Sequence, residues 1–301
     1  MSVIEIKDLK KYYGKTKAVD GVSFEIKKGE VFGFLGPNGA GKTTTIRCLM
    51  DFIRPTEGSI SILGKDLREE SVFLKSKIGY LPGNVKLYDK WTGKEHISFV
   101  ESIRGKSRPK ADQPLADTFA KELTRTFGFD PKKKFKQLSS GNKQKLGLIL
   151  ALMSEPEILI MDEPTLGLDP LLQNTIYEIL EKLKEKGTTI FISSHNLPEV
   201  ERICDRVGII KDGKMVSVEA VSQLGEKKLH RVQARFAGKY DIADFKKLKI
   251  ENLEEISGGV IFTVGGDLNI IIKKLFEYKI VDLEVSHATL EDVFLKFYKK
   301  K

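Results

Sequence analysis

One stretch constrains this chain more than any other. It reads Gly36-Pro37-Asn38-Gly39-Ala40-Gly41-Lys42-Thr43-Thr44. An apolar run, Val31-Phe32-Gly33-Phe34-Leu35, precedes it, and residues 44–53 after it carry a helical pattern. Gly36, Gly41, Lys42 and Thr43 satisfy the spacing G-x-x-x-x-G-K-[ST] in a strand-then-helix context. Glycines let the backbone close around a polyphosphate where a Cβ would collide. The wrapped amides and the start of the following helix then turn partial positive charge toward the anion. Lys42 brings a point charge to the β- and γ-phosphates, and the Thr43 hydroxyl offers magnesium a hard oxygen ligand. The loop predicts a nucleoside triphosphate but leaves its use open.

With 301 residues there is room for one large domain and one small one. A hydrophobic content of 41% is ordinary for a chain with a packed core. No apolar run is long enough to span a bilayer. Residues 1–11 alternate charged and apolar side chains and lack an apolar signal core, so a cytoplasmic location is expected. Two cysteines, Cys48 and Cys204, form no disulfide or metal framework and read as small buried hydrophobes. The net charge of +9 is uneven: residues 90–145 hold 14 Lys/Arg against 6 Asp/Glu, and the rest nearly balances. Such a block suits a solvated face, anionic lipid or nucleic acid.

Residues 3–6, 22–26 and 59–63 alternate as strands of an antiparallel sheet. Tyr12-Tyr13-Gly14 lies between the first two, where an aromatic ring either packs in a turn or stacks on a purine. Residues 78–81 form a short strand ended by Pro82-Gly83-Asn84. Helical spacing follows over 96–103 and 115–127, with a polar turn at 105–114, giving a helical insertion from residue 84 to about 136. Leu138-Ser139-Ser140-Gly141-Asn142 then opens a helix to residue 153. Its Ser139 and Gly141 suit a helix N-terminus, which is either an ordinary cap or a second anion site. A strand over 157–161 ends at Asp162-Glu163-Pro164, and one over 188–193 ends at Ser194-His195-Asn196. The ends of parallel strands border the crevice where open α/β sheets bind ligands. Asp162 there can hold magnesium, and Glu163 can polarise a water toward the γ-phosphate. A helix is expected over 171–186, and a hairpin joins 207–210 to 214–218 through Asp212-Gly213. Beyond Gly225 the pattern is β-α-β-β-α-β, with strands at 231–236, 250–255, 260–264 and 283–286 and helices at 240–248 and 268–278. That order suggests a ferredoxin-like domain, followed by an amphipathic helix over 290–298.

Together these residues resemble the ATP-binding subunit of an ATP-binding cassette (ABC) transporter over residues 1–220. Gly36 to Thr44 is similar to the Walker A loop, residues 158–163 to Walker B with its catalytic glutamate, and residues 138–142 to the signature motif. Leu168-Asp169 resembles the D-loop, His195 the switch histidine, and Tyr13 the adenine-stacking aromatic. Thr289-Leu290-Glu291-Asp292-Val293-Phe294 resembles the ending of export-type cassettes such as drug, bacteriocin and sodium exporters.

The resemblance implies an α/β P-loop NTPase of ABC type with a helical subdomain of about residues 84–145, plus a small α+β accessory domain at 221–301. It implies ATP hydrolysis with Mg2+: Lys42, Glu163 and His195 act in catalysis, and Thr43 and Asp162 hold the metal. Tyr13 and the loop Gly36, Pro37, Asn38, Gly39, Ala40, Gly41, Lys42, Thr43 and Thr44 bind ATP. Ser139 and Gly141 reach the ATP of a partner subunit in a head-to-tail homodimer or heterodimer. A separate transmembrane permease is the implied partner, with the chain peripheral on the inner membrane face and no nucleic acid involved. The alternatives are a soluble ABC ATPase acting on nucleic acid or ribosomes, and an importer ATPase. Two residues depart from the family pattern. Gly83 stands where a glutamine is usual, leaving Asn84 or water to fill its place, and the signature reads Ser-Ser-Gly-Asn in place of Ser-Gly-Gly-Gln.

Overall fold

The computed structural model describes residues 2–103, 119–222, 229–248, 250–265 and 268–287. Strands β1 (Ser2–Tyr13) and β2 (Thr16–Lys27) make a long antiparallel hairpin. Both outrun the alternating segments seen in the sequence, because backbone pairing carries the ladder on to Tyr13 and Thr16. β3 (Val31–Leu35) leads through the glycine loop into α1 (Lys42–Leu49), which stops short of the expected residue 53. Asp51, at φ 49°, is already in the left-handed region there, which a helix cannot continue through. β4 (Glu57–Ile62) and β5 (Lys65–Asp66) complete a four-stranded sheet in the order β2-β1-β4-β5.

Helix α2 (Ser71–Lys77) has too short a period to be legible in the sequence and delivers the chain into β6 (Ile78–Leu81). Next come α3 (Gly93–Ile103), α4 (Phe119–Thr126), a single 3-10 turn at Phe135–Gln137, and α5 (Ser140–Leu152). The expected turn at 105–114 and the start of the helix expected at 115 lie outside the described residues. β7 (Ile158–Asp162), α6 (Pro170–Glu185), β8 (Thr189–Ser194), α7 (Leu197–Ile203), β9 (Arg206–Lys211) and β10 (Lys214–Ala220) follow.

A six-stranded sheet runs β10-β9-β3-β8-β7-β6. β3, β7 and β8 are buried along their whole length, as parallel strands covered on both faces must be. Parallel pairing sets Leu35 beside Ser194 and Asp162 beside Ser193, so three strands end at one edge. Phe24 of β2 stacks on Phe32 at 5.1 Å and on Phe191 at 5.8 Å, locking the antiparallel sheet to this one. The β9–β10 hairpin turns at Asp212 and Gly213, both at positive φ as the tight hairpin turn requires. Cys48 and Cys204 are buried free thiols.

Backbone contacts divide the chain into Met1–Val218 and Glu219–Lys301. The second unit contains β11 (Leu229–Phe236), α8 (Ile242–Lys246), β12 (Ile250–Ile256), β13 (Gly259–Gly265), α9 (Leu268–Leu275) and β14 (Ile280–His287). Its strands lie in the order β12-β13-β11-β14, each antiparallel to its neighbour. Val232, Phe236, Phe245, Phe262 and Leu275 form its core. The helix expected over 290–298, with the Thr289 to Phe294 motif, lies outside the described residues.

Candidate functional site

The glycine loop is bare backbone because its neighbours leave no room for more. A Cβ on Gly36 would meet Ile210 O at 2.5 Å, and one on Gly41 would meet Ala18 O at 2.5 Å. Gly41 also sits at φ 109° as the N-cap of α1, with no side-chain cap on the helix amides. Gly213 of the β9–β10 turn donates its N–H to Ala40 O at 3.0 Å and steadies the loop from outside. Pro37, Asn38 and Gly39 are exposed, and Thr44 is half-buried in the first turn. Loop residues, Ala18 and Glu163 line a cavity of about 200 Å³.

Lys42 is buried, and its ammonium donates to Gly36 O at 2.6 Å and Pro37 O at 3.2 Å. It also pairs with Glu163 Oε1 at 3.2 Å. The other Glu163 oxygen lies 2.7 Å from His195 Nδ1. Glu163 itself is at φ 53°, and its N–H donates to Ser193 O at 3.1 Å and Ser193 Oγ at 3.2 Å. This left-handed turn directly after β7 swings the Glu163 side chain toward the loop. Asp162, one residue earlier, takes different partners. It accepts from Thr43 Oγ1 at 2.8 Å and from Ser193 Oγ at 2.5 Å, and is almost wholly buried. Adjacent carboxylates are thus sorted: Asp162 binds hydroxyls, and Glu163 binds the two nitrogen bases. Hard oxygens at Thr43 and Asp162 fit a magnesium ion.

Other residues singled out in the sequence lie elsewhere. Tyr13 ends β1 half-exposed, with Lys11 Nζ 5.1 Å from its ring centroid, and is not in the cavity lining. Ser139 caps α5 by accepting from Asn142 N at 3.3 Å, and Gly141 lies in the first turn, facing the Gly167–Leu168 turn. Gly83 borders Asp162: a Cβ there would sit 3.2 Å from Asp162 Oδ2. Asn84 is exposed.

Three supporting residues escaped the sequence reading. Ser193 serves both carboxylates, as described above. Gln144 is buried on α5 and donates to Pro164 O at 3.0 Å. Glu199 is buried on α7, accepting from Thr165 Oγ1 at 2.9 Å and Ser194 Oγ at 2.5 Å. Burial pushes the Glu199 carboxyl above its usual range, against the two hydroxyls that favour its charged form. The one sequence clue to Glu199 is a carboxylate beside Val200 and Ile203 on the apolar face of a short helix.

The family profile described as ABC transporter matches residues 19–166. A bacitracin transport ATP-binding protein of Bacillus licheniformis is 34% identical over 308 residues, covering 98% of this chain and 97% of the relative. The chain belongs to the ABC transporter ATP-binding proteins. A Nod factor export ATP-binding protein of Paraburkholderia xenovorans is 34% identical over 98% of this chain and 96% of its own. Among solved structures, an ATP-binding subunit of an ABC transporter is 31% identical with a TM-score of 0.67, covering 75% of this chain and 92% of that one. A bacterial ABC transporter cassette solved as a dimer is 26% identical with a TM-score of 0.65, covering 72% of this chain and 98% of that one. The fold is therefore that of the ABC-type P-loop NTPases, and the protein is an ABC ATPase. Among the described residues no helix is long and apolar enough to cross a membrane.

Proposed function

We propose that this chain powers an export-type permease by closing with a second ATP-binding subunit around ATP. One observation carries the chemistry: Lys42, Glu163 and His195 converge within hydrogen-bond reach where β3, β7 and β8 end. Lys42 binds the β- and γ-phosphates in exchange for its present pairing with Glu163 Oε1, which frees that oxygen. Glu163 orients a water and takes its proton as the oxygen attacks the γ-phosphorus and the bond to ADP breaks. His195 holds the second Glu163 oxygen and contacts the γ-phosphate. Thr43 and Asp162 would hold a magnesium ion, which would supply neutralising positive charge.

Ser139 and Gly141 sit on a helix start outside the lining of this chain's own loop cavity, which suits them to a partner's ATP. The solved dimer of a related cassette supports a two-subunit arrangement. The names of the bacitracin and Nod factor relatives support transport, and the second of them export. The insertion from 84 to about 136 receives the permease, and exposed Lys132, Lys133 and Lys134 keep the chain peripheral on the inner membrane face. Tyr13 stacks on the adenine. Neither the importer nor the nucleic-acid alternative is favoured by the relatives named above.

The test is the mass of Glu163→Gln by light scattering with and without ATP and magnesium. An ATP-dependent doubling supports the two-subunit site. A monomer that still binds ATP tightly removes the homodimer and points to a sibling subunit or to the permease as the missing component.

A further inference from the structure

The turn after Glu163 is held by the helix that begins at the signature. Gln144 lies three residues beyond Gly141, about 4.5 Å along the axis of α5. Its amide Nε2 donates to Pro164 O at 3.0 Å in the buried interior. Pro164 follows Glu163 directly. A second contact joins the same two segments: a Cβ on Gly141 would lie 3.9 Å from both Gly167 O and Leu168 Cδ2. The turn is also tied to itself, since Leu166 N donates to Glu163 O at 3.2 Å and Leu168 N to Thr165 O at 3.1 Å. Its far side is braced by Thr165 Oγ1 on Glu199.

We infer that Gln144 is a positioning residue that makes the aim of Glu163 depend on engagement of the α5 N-terminus. A buried amide that donates to a buried carbonyl is costly to break, so the helix start and the turn move together. Ser139 and Gly141 belong to one composite site and Glu163 to the other, so the bond links the two ATP sites through a single chain. This rests on the two-subunit reading above. Engagement of one site then biases hydrolysis at the other, the reciprocal coupling that defines cooperativity.

The experiment compares the full-length chain with Gln144→Met, which keeps the volume and helix propensity but removes the donor. ATP hydrolysis is measured against ATP concentration, and binding of a fluorescent ADP analogue reports the glycine loop alone. The intact chain should show a Hill coefficient of about two and Gln144→Met about one. The variant's turnover should fall about tenfold with ADP affinity unchanged, while the unpaired Pro164 carbonyl lowers the melting temperature by a few degrees at most. A variant that keeps both its Hill coefficient and its turnover overturns the inference. So does one whose ADP affinity falls in step with activity, because that is a merely structural role.

Gln144→Glu gives an independent reading. Its carboxylate faces the Pro164 carbonyl without a proton to donate at neutral pH, and it regains a donor when protonated. Cooperativity relative to the intact chain should therefore be lost at pH 8 and return as the pH falls, and a ratio that stays flat with pH overturns the link. An intact chain that dimerises with ATP but hydrolyses it without cooperativity overturns the inference and leaves the two-subunit reading standing. A chain that stays monomeric with ATP even as Glu163→Gln removes the homodimer, and with it the inference for two copies of this chain.

Discussion

The C-terminal edge of the six-stranded sheet and the four-stranded sheet of the second unit are built to opposite specifications. In the first, parallel strands buried on both faces end together, and β7 and β8 run directly into polar side chains. Asp162, Glu163, Ser193 and His195 share one hydrogen-bonded network with Thr43 and Lys42. In the second, antiparallel strands bury one face on Phe245, Phe262 and Leu275, and the polar partners lie at the surface. Asp244 there accepts from Tyr278 and pairs with Lys274 and Lys247, which together hold its carboxyl far below the usual range. Both regions have ionised groups in contact, and in the first Lys42 and Glu163 line a cavity. Parallel strand ends aim several loops at one point, whereas neighbouring strands of the antiparallel second sheet end at opposite edges.

The contrast predicts a double dissociation. Glu163→Gln should lower ATP turnover by roughly 10²–10⁴-fold, as loss of a general base does, and leave ATP binding and both melting transitions in place. A turnover loss below tenfold would move the base elsewhere. Phe245→Ala should do the reverse. Phe245 is fully buried, with ring centroids 5.9 Å from Phe236 and 5.8 Å from Tyr278. Its truncation should cost the second unit ~3–5 kcal/mol, seen calorimetrically as an early transition, with hydrolysis retained.

Glu199→Ala tests where the first region stops. It leaves the Thr165 and Ser194 hydroxyls without their buried acceptor and should cost ~1–3 kcal/mol while also slowing turnover. Unchanged turnover would limit Glu199 to stability. The smallest effect is expected at His96, buried among Tyr88, Trp91 and Phe135. Its Nδ1 is 2.8 Å from Thr92 O, and its Nε2 accepts from Tyr88 N at 3.1 Å. Burial lowers its pKa below the ordinary 6.5, so the unfolded chain takes up the proton first. Its contribution is complete above pH 6.5 and is lost as the pH falls below that value, toward the lowered pKa of the folded state. His96→Phe should flatten the slope of melting temperature across that window.

Some of this was legible in the chain and some was not, for physical reasons. The glycine loop and the ends of β7 and β8 could be read because close backbone approach and parallel strand ends impose residue types at fixed spacing. Helices α2 and α7 could not, since each is seven residues long and gives less than two turns of period. Strand limits moved outward because pairing across the β1–β2 ladder, not local pattern, decides where a strand ends. Ser193, Gln144 and Glu199 were invisible as site residues, because each answers to a partner (Asp162, Pro164 and Thr165) that is 20 to 34 residues away in sequence.

By itself the sequence determined that this chain carries a glycine loop of the polyphosphate-wrapping pattern, and that two acidic residues and a histidine follow apolar strands. Those facts are local: each rests on a residue type at a spacing that backbone geometry demands. Tertiary structure alone decided that Asp162 faces Thr43 while Glu163 faces Lys42 and His195. It alone set Gly83 against Asp162 and Gln144 against Pro164. Such choices depend on strand register and on which carbonyl or hydroxyl lies across a packed interface, and no stretch of sequence contains both sides of that interface.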